Sequence, residues 1–257
     1  MEFNGTKIAK QIENPKVFIK KRFFCLFLTF QTPINMLHTQ IRYLLYKEFI
    51  LEWRERYALN GILLYVISTV MVCYLSFSVR QSALSPPAWN ALFWIILLFA
   101  ATNAVAKSFQ QERHGRLLYY YTLASPEAII LSKIIYNTLL LSFISLMTIG
   151  VYSLLLGNPM QDIGLFLIAL LLGSAGLAGT LTLMAGIASK VENGATLMAV
   201  LSFPIILPLL LMLIKLSRNA LEGLDRVSSY DELMVLSALN VMVMALSYLL
   251  FPYLWRS

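Results

Sequence analysis

The sequence predicts an all-α integral membrane protein. Six transmembrane helices follow an N-terminal amphipathic helix on the cytoplasmic interface, and a further short helix joins spans two and three. Three observations predict this. The 257 residues are 59% hydrophobic and 13% charged, with a mean hydropathy of +0.72, whereas a soluble domain carries about 25% charged residues. Six apolar segments reach the ~20 residues that a helix needs to cross the hydrocarbon of a bilayer. None has a charge in its middle or the period-two alternation of a barrel strand. Lysine and arginine, finally, fall unevenly between alternate connections, as the positive-inside rule requires.

Residues 1–35 stand apart. KKRFFCLFLTF sets three positive residues before an apolar stretch that runs only from Phe23 to Phe30. It resembles the first two regions of a signal peptide, but Gln31, Thr32 and Pro33 follow where small residues would mark cleavage. The expectation is an upstream extension or a start-site artefact, with an interfacial anchor as the other reading. Residues 36–57 form the amphipathic element. Within IRYLLYKEFILEWRERYAL, the apolar Leu44, Leu45, Phe49 and Trp53 recur every three or four residues, while Lys47, Glu48, Glu52, Arg54 and Glu55 are polar. Such a helix lies in the membrane interface with Trp53 and Tyr57 at headgroup depth. It serves as a topological anchor or as a contact for a cytoplasmic partner.

The six-span bundle occupies 58–256, with spans at 58–79, 88–106, 129–156, 163–187, 195–214 and 233–254. With the N-terminus in the cytoplasm, the inner side from residue 36 onward holds Arg42, Lys47, Arg54, Arg56, Lys107, Arg113, Arg116, Lys133, Lys190 and Arg256. The outer side holds Arg80, Lys215, Arg218 and Arg226. With the six positive residues of 1–35 the count is sixteen against four, so both termini are cytoplasmic. The net charge of +7 is therefore a topological bias, and a nucleic-acid partner is excluded. The outer loop LSRNALEGLDRVSSYDE balances its positive residues with Glu222, Asp225, Asp231 and Glu232, and is long enough for a short surface helix.

Between spans two and three the chain reads FQQERHGRLLYYYTLASPEAIILSK. A plain solvated loop needs only a few polar residues; this one has a charged cluster followed by Tyr119, Tyr120 and Tyr121. A docking surface accounts for it better. Gly115 loosens the helix by about 1 kcal/mol relative to alanine. Ser125-Pro126 breaks the chain direction, with Ser125 as N-cap and Pro126 in the first turn of span three. Lys133 is expected to snorkel to the inner surface. In span four, Gly173, Gly176 and Gly179 permit close helix packing or act as a pivot. In span five, Pro204 and Pro208 each remove an amide donor.

Several function classes are missing their residues. No span carries a mid-membrane Asp, Glu, Arg or His for an ion-coupled relay, and no Walker phosphate loop is present. Cys25 and Cys73 are isolated in apolar runs and read as packing residues, and no metal-ligand spacing exists. If work is done here, its energy enters from a partner.

An interface helix, six spans, and a charged helix ending in Ser-Pro and then lysine resemble the permease subunits of type-2 ABC exporters. In that family the element between spans two and three is the coupling helix, which docks into a groove of the ATP-hydrolysing subunit. Its glutamate-glycine-proline-lysine order is carried by Glu112, Gly115, Pro126 and Lys133. The resemblance implies that Gln111, Glu112, Arg113 and Arg116 contact the ATPase. Tyr119, Tyr120 and Tyr121 would anchor the helix at the interface, and Gly115 and Pro126 would set its geometry. The second half, GSAGLAGTLTLMAGIASKVENGATLMAVLSFPIILPLLL, is similar to the B-subunit family of the cytochrome c maturation system, the haem-exporter permeases (CcmB). The likeness covers about 40–256, and the tyrosine triplet departs from the leucine-rich run expected there.

This resemblance implies a non-catalytic, multi-pass permease in a bacterial inner membrane. Its partners would be an ATPase on the cytoplasmic face, a haem-handling membrane protein and a small accessory subunit. It implies no directly bound cofactor: ATP belongs to the ATPase and haem to the other partners, while His38 and His114 lie on the cytoplasmic side. ATP use would be linked to haem delivery or to release of the haem-loaded periplasmic chaperone. The alternatives are another type-2 exporter, for a lipid-linked sugar or a drug, and a non-transport assembly scaffold.

Overall fold

The computed structural model describes residues 36–54, 57–78, 84–110, 124–189, 194–224 and 226–256. Residues 1–40 and 41–257 form two units, and of the first only 36–40, the opening residues of a helix, are described. Among the described residues there are seven α-helices and one short 3-10 helix, and no strand. The helices are α1 (Met36–Arg54), α2 (Tyr57–Ser78), α3 (Pro86–Gln110), α4 (Pro126–Leu156), α5 (Ile163–Ala188), α6 (Gly194–Glu222) and α7 (Tyr230–Arg256), with the 3-10 turn at Arg226–Ser229. Helices α2 to α7 are long and apolar enough to cross a membrane. A helix satisfies its own backbone, which is why unbroken apolar runs in lipid take this form.

Helix α5 is the centre of the bundle and packs against α3, α4, α6 and α7. The reason is its glycine stripe. A Cβ at Gly173 would lie 2.8 Å from the Trp94 ring and 2.9 Å from Leu213. One at Gly176 would collide with Leu209 and sit 2.6 Å from Asn240 Oδ1, and one at Gly179 would be 3.2 Å from Val243. Three successive turns of α5 thus admit α3 and α6, then α6 and α7, then α7. Pro204 and Pro208 lie on the exposed side of a continuous α6, while Ile206, Leu209 and Leu213 form its buried face. The prolines therefore face away from the glycines they follow in sequence.

Several polar side chains within the bundle bond to one another or to backbone, while buried Thr180 Oγ1 and Ser108 Oγ have no hydrogen-bond partner among the described residues. Asn137 Nδ2 donates to Thr182 Oγ1 at 2.8 Å, joining α4 to α5. The Ser145 and Ser174 hydroxyls meet at 3.1 Å, and Trp94 Nε1 donates to Ser217 Oγ at 2.9 Å. Bonds of this kind contribute roughly 0.6 kcal/mol each in a membrane bundle, so they fix orientation more than they stabilise.

One end of the bundle is closed by aromatic rings and a polar clasp. Trp89 meets Tyr152 and Phe166 edge to face and stacks on Phe93, with Tyr152 donating its hydroxyl to the Trp89 carbonyl at 3.0 Å. Asp162 caps α5 by accepting from Leu165 N at 3.0 Å. It also receives Arg226 in a two-pronged contact, Nε to Oδ2 at 2.8 Å and Nη2 to Oδ1 at 3.1 Å. The amides of Gln161 and Asp162 both donate to the Ala220 carbonyl near the end of α6, at 3.2 and 3.0 Å. The segment LSRNALEGLDRVSSYDE is less a loop than the tips of two helices. Helix α6 continues to Glu222 and stops where Gly223 turns to φ +66°. Lys215, Arg218 and Arg226 pair with Glu232, Glu222 and Asp162 respectively.

Candidate functional site

The end opposite Asp162 carries Gln110 and Ala124, the described residues that flank the 111–123 connection. Gln111, Glu112, Arg113, Gly115, Arg116, Tyr119, Tyr120 and Tyr121 lie outside the described residues, as does His114. Its two roots are described. Helix α3 reaches Gln110, and α4 begins at Pro126 behind Ser125, whose hydroxyl accepts from Ala128 N at 3.3 Å. The N-cap expected from Ser-Pro is therefore present, with Pro126 at the first helical position, where a missing N–H costs nothing.

Beneath these roots sits Lys133. It does not snorkel: its side chain is 2% exposed and points into the protein. The ammonium lies 3.4 Å from the Ser108 carbonyl and 3.5 Å from Glu48 Oε1. Ser108 belongs to the last described turn of α3, toward the negative end of the helix dipole. A cation buried at that point is held by both the dipole and a carboxylate. Glu48, 5% exposed, also receives Lys47 Nζ at 2.9 Å.

One turn further along α4, the Tyr136 hydroxyl donates to Glu52 Oε2 at 3.1 Å, and its ring meets Phe49 edge to face at 5.6 Å. Leu44 completes the junction. It packs on a small apolar cluster formed by Ile129, Ile130 and Ile134 of α4 and Phe251 of α7. Four elements thus converge: α1, the end of α3, the start of α4 and the end of α7.

This geometry adds to the amphipathic reading of α1. Of its polar residues, Glu48 is buried against the bundle, while the apolar Phe49 is 49% exposed on the protein surface. The physical reason is complementary spacing. Glu48 and Glu52 are four apart on one helix, Lys133 and Tyr136 three apart on another, so each set forms a single polar ridge. The ridges satisfy one another, with Leu44 packed inward beside them and Phe49 partly outward. The side chains of Trp53 and Tyr57 lie outside the described residues. Glu48, Glu52, Ser108 and Tyr136 were missed as site residues. Matching an i, i+4 acid pair with a lysine and tyrosine at i, i+3 is the signal that would have found them.

A family model described as "CcmB protein" matches residues 39–254. The chain belongs to the CcmB family. Its matched region runs from the early part of α1 through the last span and includes Glu48, Lys133 and the whole 111–123 connection. A search of the curated proteins gives no match. CcmB proteins are permeases of the haem-export ABC system of cytochrome c maturation, a system with an ATPase partner, and six apolar helices give this member the form of a multi-pass membrane protein.

Proposed function

We propose that this CcmB-family chain is the non-catalytic transmembrane subunit that carries an ATPase partner's cycle across the bilayer. The 111–123 connection is the dock for that ATPase on the cytoplasmic face, with Gln111, Glu112, Arg113 and Arg116 as contacts. Both termini are cytoplasmic in a bacterial inner membrane, and haem is handled by partner proteins. The cycle serves haem delivery or release of the haem-loaded periplasmic chaperone.

The observation that carries this reading is the Lys133 junction. One buried ammonium touches the last turn of α3 while standing two turns into α4, so both roots of the connection are tied to one frame. A force applied at such a dock passes into two spans instead of dissipating in a loose loop. The Gly173, Gly176 and Gly179 stripe then supplies close-packed surfaces on which spans can shift together, and Pro204 and Pro208 loosen the backbone of α6. Reversing charge at Glu112 and Arg113 together (Glu112→Lys, Arg113→Glu) is expected to weaken ATPase co-purification in mild detergent with membrane insertion unchanged. Unchanged ATPase recovery would refute the docking assignment.

A further inference from the structure

Helix α6 is held differently along its two halves. Toward the Asp162 end, the Asn90 carboxamide of α3 donates to the Ile214 carbonyl at 2.9 Å and lies 2.8 Å from the Ser217 hydroxyl, which also receives Trp94 Nε1. Leu209 and Leu213 fill the notches left by Gly176 and Gly173 of α5. The Ala220 carbonyl takes two amides from the residues before α5. The other half, 194–207, makes no hydrogen bond to another helix among the described residues. Met198 and Ile206 seat it by apolar contact, and Ser202 turns back on the Ala199 carbonyl of its own helix at 3.0 Å. The change comes at Pro208, one residue before the first notch. Pro204 and Pro208 are four apart, so they remove two successive bonds from one column of the helical ladder, those that the Val200 and Pro204 carbonyls would accept. Both prolines are exposed, so the weakened column faces outward and sets the plane in which α6 bends most easily. On α5, Thr180 shares the face of Gly173 and Gly176, and the register set by those two glycines brings it opposite Ile205 and Ile206. Its buried hydroxyl has no partner, so Thr180 supplies no hydrogen bond that must break at the level of the prolines.

We propose that α6 is a two-part lever: 209–222 stays fixed to the bundle, and 194–207 tilts about the column of Pro204 and Pro208 during the ATPase partner's cycle. The tilting arm belongs to the end of the bundle that carries Gln110 and Ala124, the end of the proposed dock. Asn90 is the positioning residue of the fixed part, because its one carboxamide engages both Ile214 and Ser217. Directional bonds resist tilting on one side of the joint, while sliding apolar contacts permit it on the other. A hinge of this kind absorbs motion at a few residues and leaves the segments beside it rigid.

This inference rests on the proposed coupling to an ATPase, and its test separates the two. The complete complex with its ATPase is purified for Pro204→Leu and Pro208→Leu together. Both positions face outward, so leucine disturbs no packing and restores two amide donors. The expected result is a Tm higher by about 5 °C, normal ATPase recovery, and a yield of holocytochrome c per ATP that falls roughly tenfold. Gly150→Ala, which stiffens α4 where a new Cβ meets nothing within 4 Å, is the control and should leave that yield unchanged. An unchanged yield in the proline variant overturns the lever. So does an equal loss in Gly150→Ala, or loss of the ATPase from the proline variant. A second measurement needs no proline substitution. In a cysteine-free protein, Phe203→Cys and Leu211→Cys, exposed positions on either side of the prolines, are labelled singly with an environment-sensitive fluorophore. Adding a non-hydrolysable ATP analogue to the complete complex should shift the emission at 203 and leave that at 211 unchanged. No shift at either position, or equal shifts at both, overturns the proposal even where the proline variant does not accumulate. Failure of the docking reading shows elsewhere, as full ATPase recovery in the Glu112→Lys, Arg113→Glu protein.

Discussion

Gly176 and Gly150 show how one residue type takes opposite values in this bundle. A Cβ at Gly176 would collide with Leu209, a residue buried at 1% exposure, and would sit 2.6 Å from Asn240 Oδ1, whose amide nitrogen is already committed to the Leu172 carbonyl at 3.1 Å. Both neighbours must shift to admit it. Gly176→Ala is therefore expected to destabilise by about 1–3 kcal/mol, the usual cost of overpacking, read as a lower Tm in detergent. Gly150 has nothing within 4 Å of a new Cβ, and it lies inside α4. There alanine should stabilise by up to about 1 kcal/mol through helix propensity. A sequence shows both as glycines in apolar helices; only the facing side chains tell them apart. Lys133 makes the same point with charge. Its position near the start of a span reads as a snorkelling site, and its burial follows only from the meeting of Glu48 and the end of α3.

Among the elements, the clasp between α5 and the 3-10 turn is held largely by one carboxylate. Asp162 is kept at about 2, well below the ordinary 3.8, chiefly because Arg226 hydrogen-bonds it, with the Leu165 amide adding to the effect. A carboxyl lowered in the folded state takes up its proton later than in the unfolded chain. Its stabilisation is whole above about pH 4 and is lost as pH falls toward about 2. Thermal melts in detergent should thus show a wild-type decline over that range that Asp162→Asn lacks, with the variant already less stable at neutral pH. Salt should narrow the gap, because Arg226 is exposed. Helix α6 carries a second lesson about elements. Its apolar run ends near 214, yet the helix continues to Glu222, because Lys215, Arg218 and their acidic partners neutralise one another along its tip. Charge marks where lipid ends, not where the helix does.

For the whole molecule, the distribution of positive residues makes a prediction about sidedness. Cysteines placed at Arg116 and at Arg80 of a cysteine-free protein should differ in intact cells. A membrane-impermeant thiol reagent is expected to label the Arg80→Cys protein and spare Arg116→Cys until the membrane is opened. The reverse pattern would place the 111–123 connection outside and end the ATPase docking proposal. The sequence by itself determined six spans, their order, the Ser125 cap and the glycine stripe, because bilayer thickness, missing side chains and capping are local demands that a one-dimensional reading can count. Tertiary structure alone decided which face of α1 turns inward, that Lys133 is buried, and that Pro204 and Pro208 face away from the glycines. Those outcomes depend on which polar group meets which across helices far apart in sequence. Glu48 and Lys133 are 85 residues apart, and no local period records their pairing.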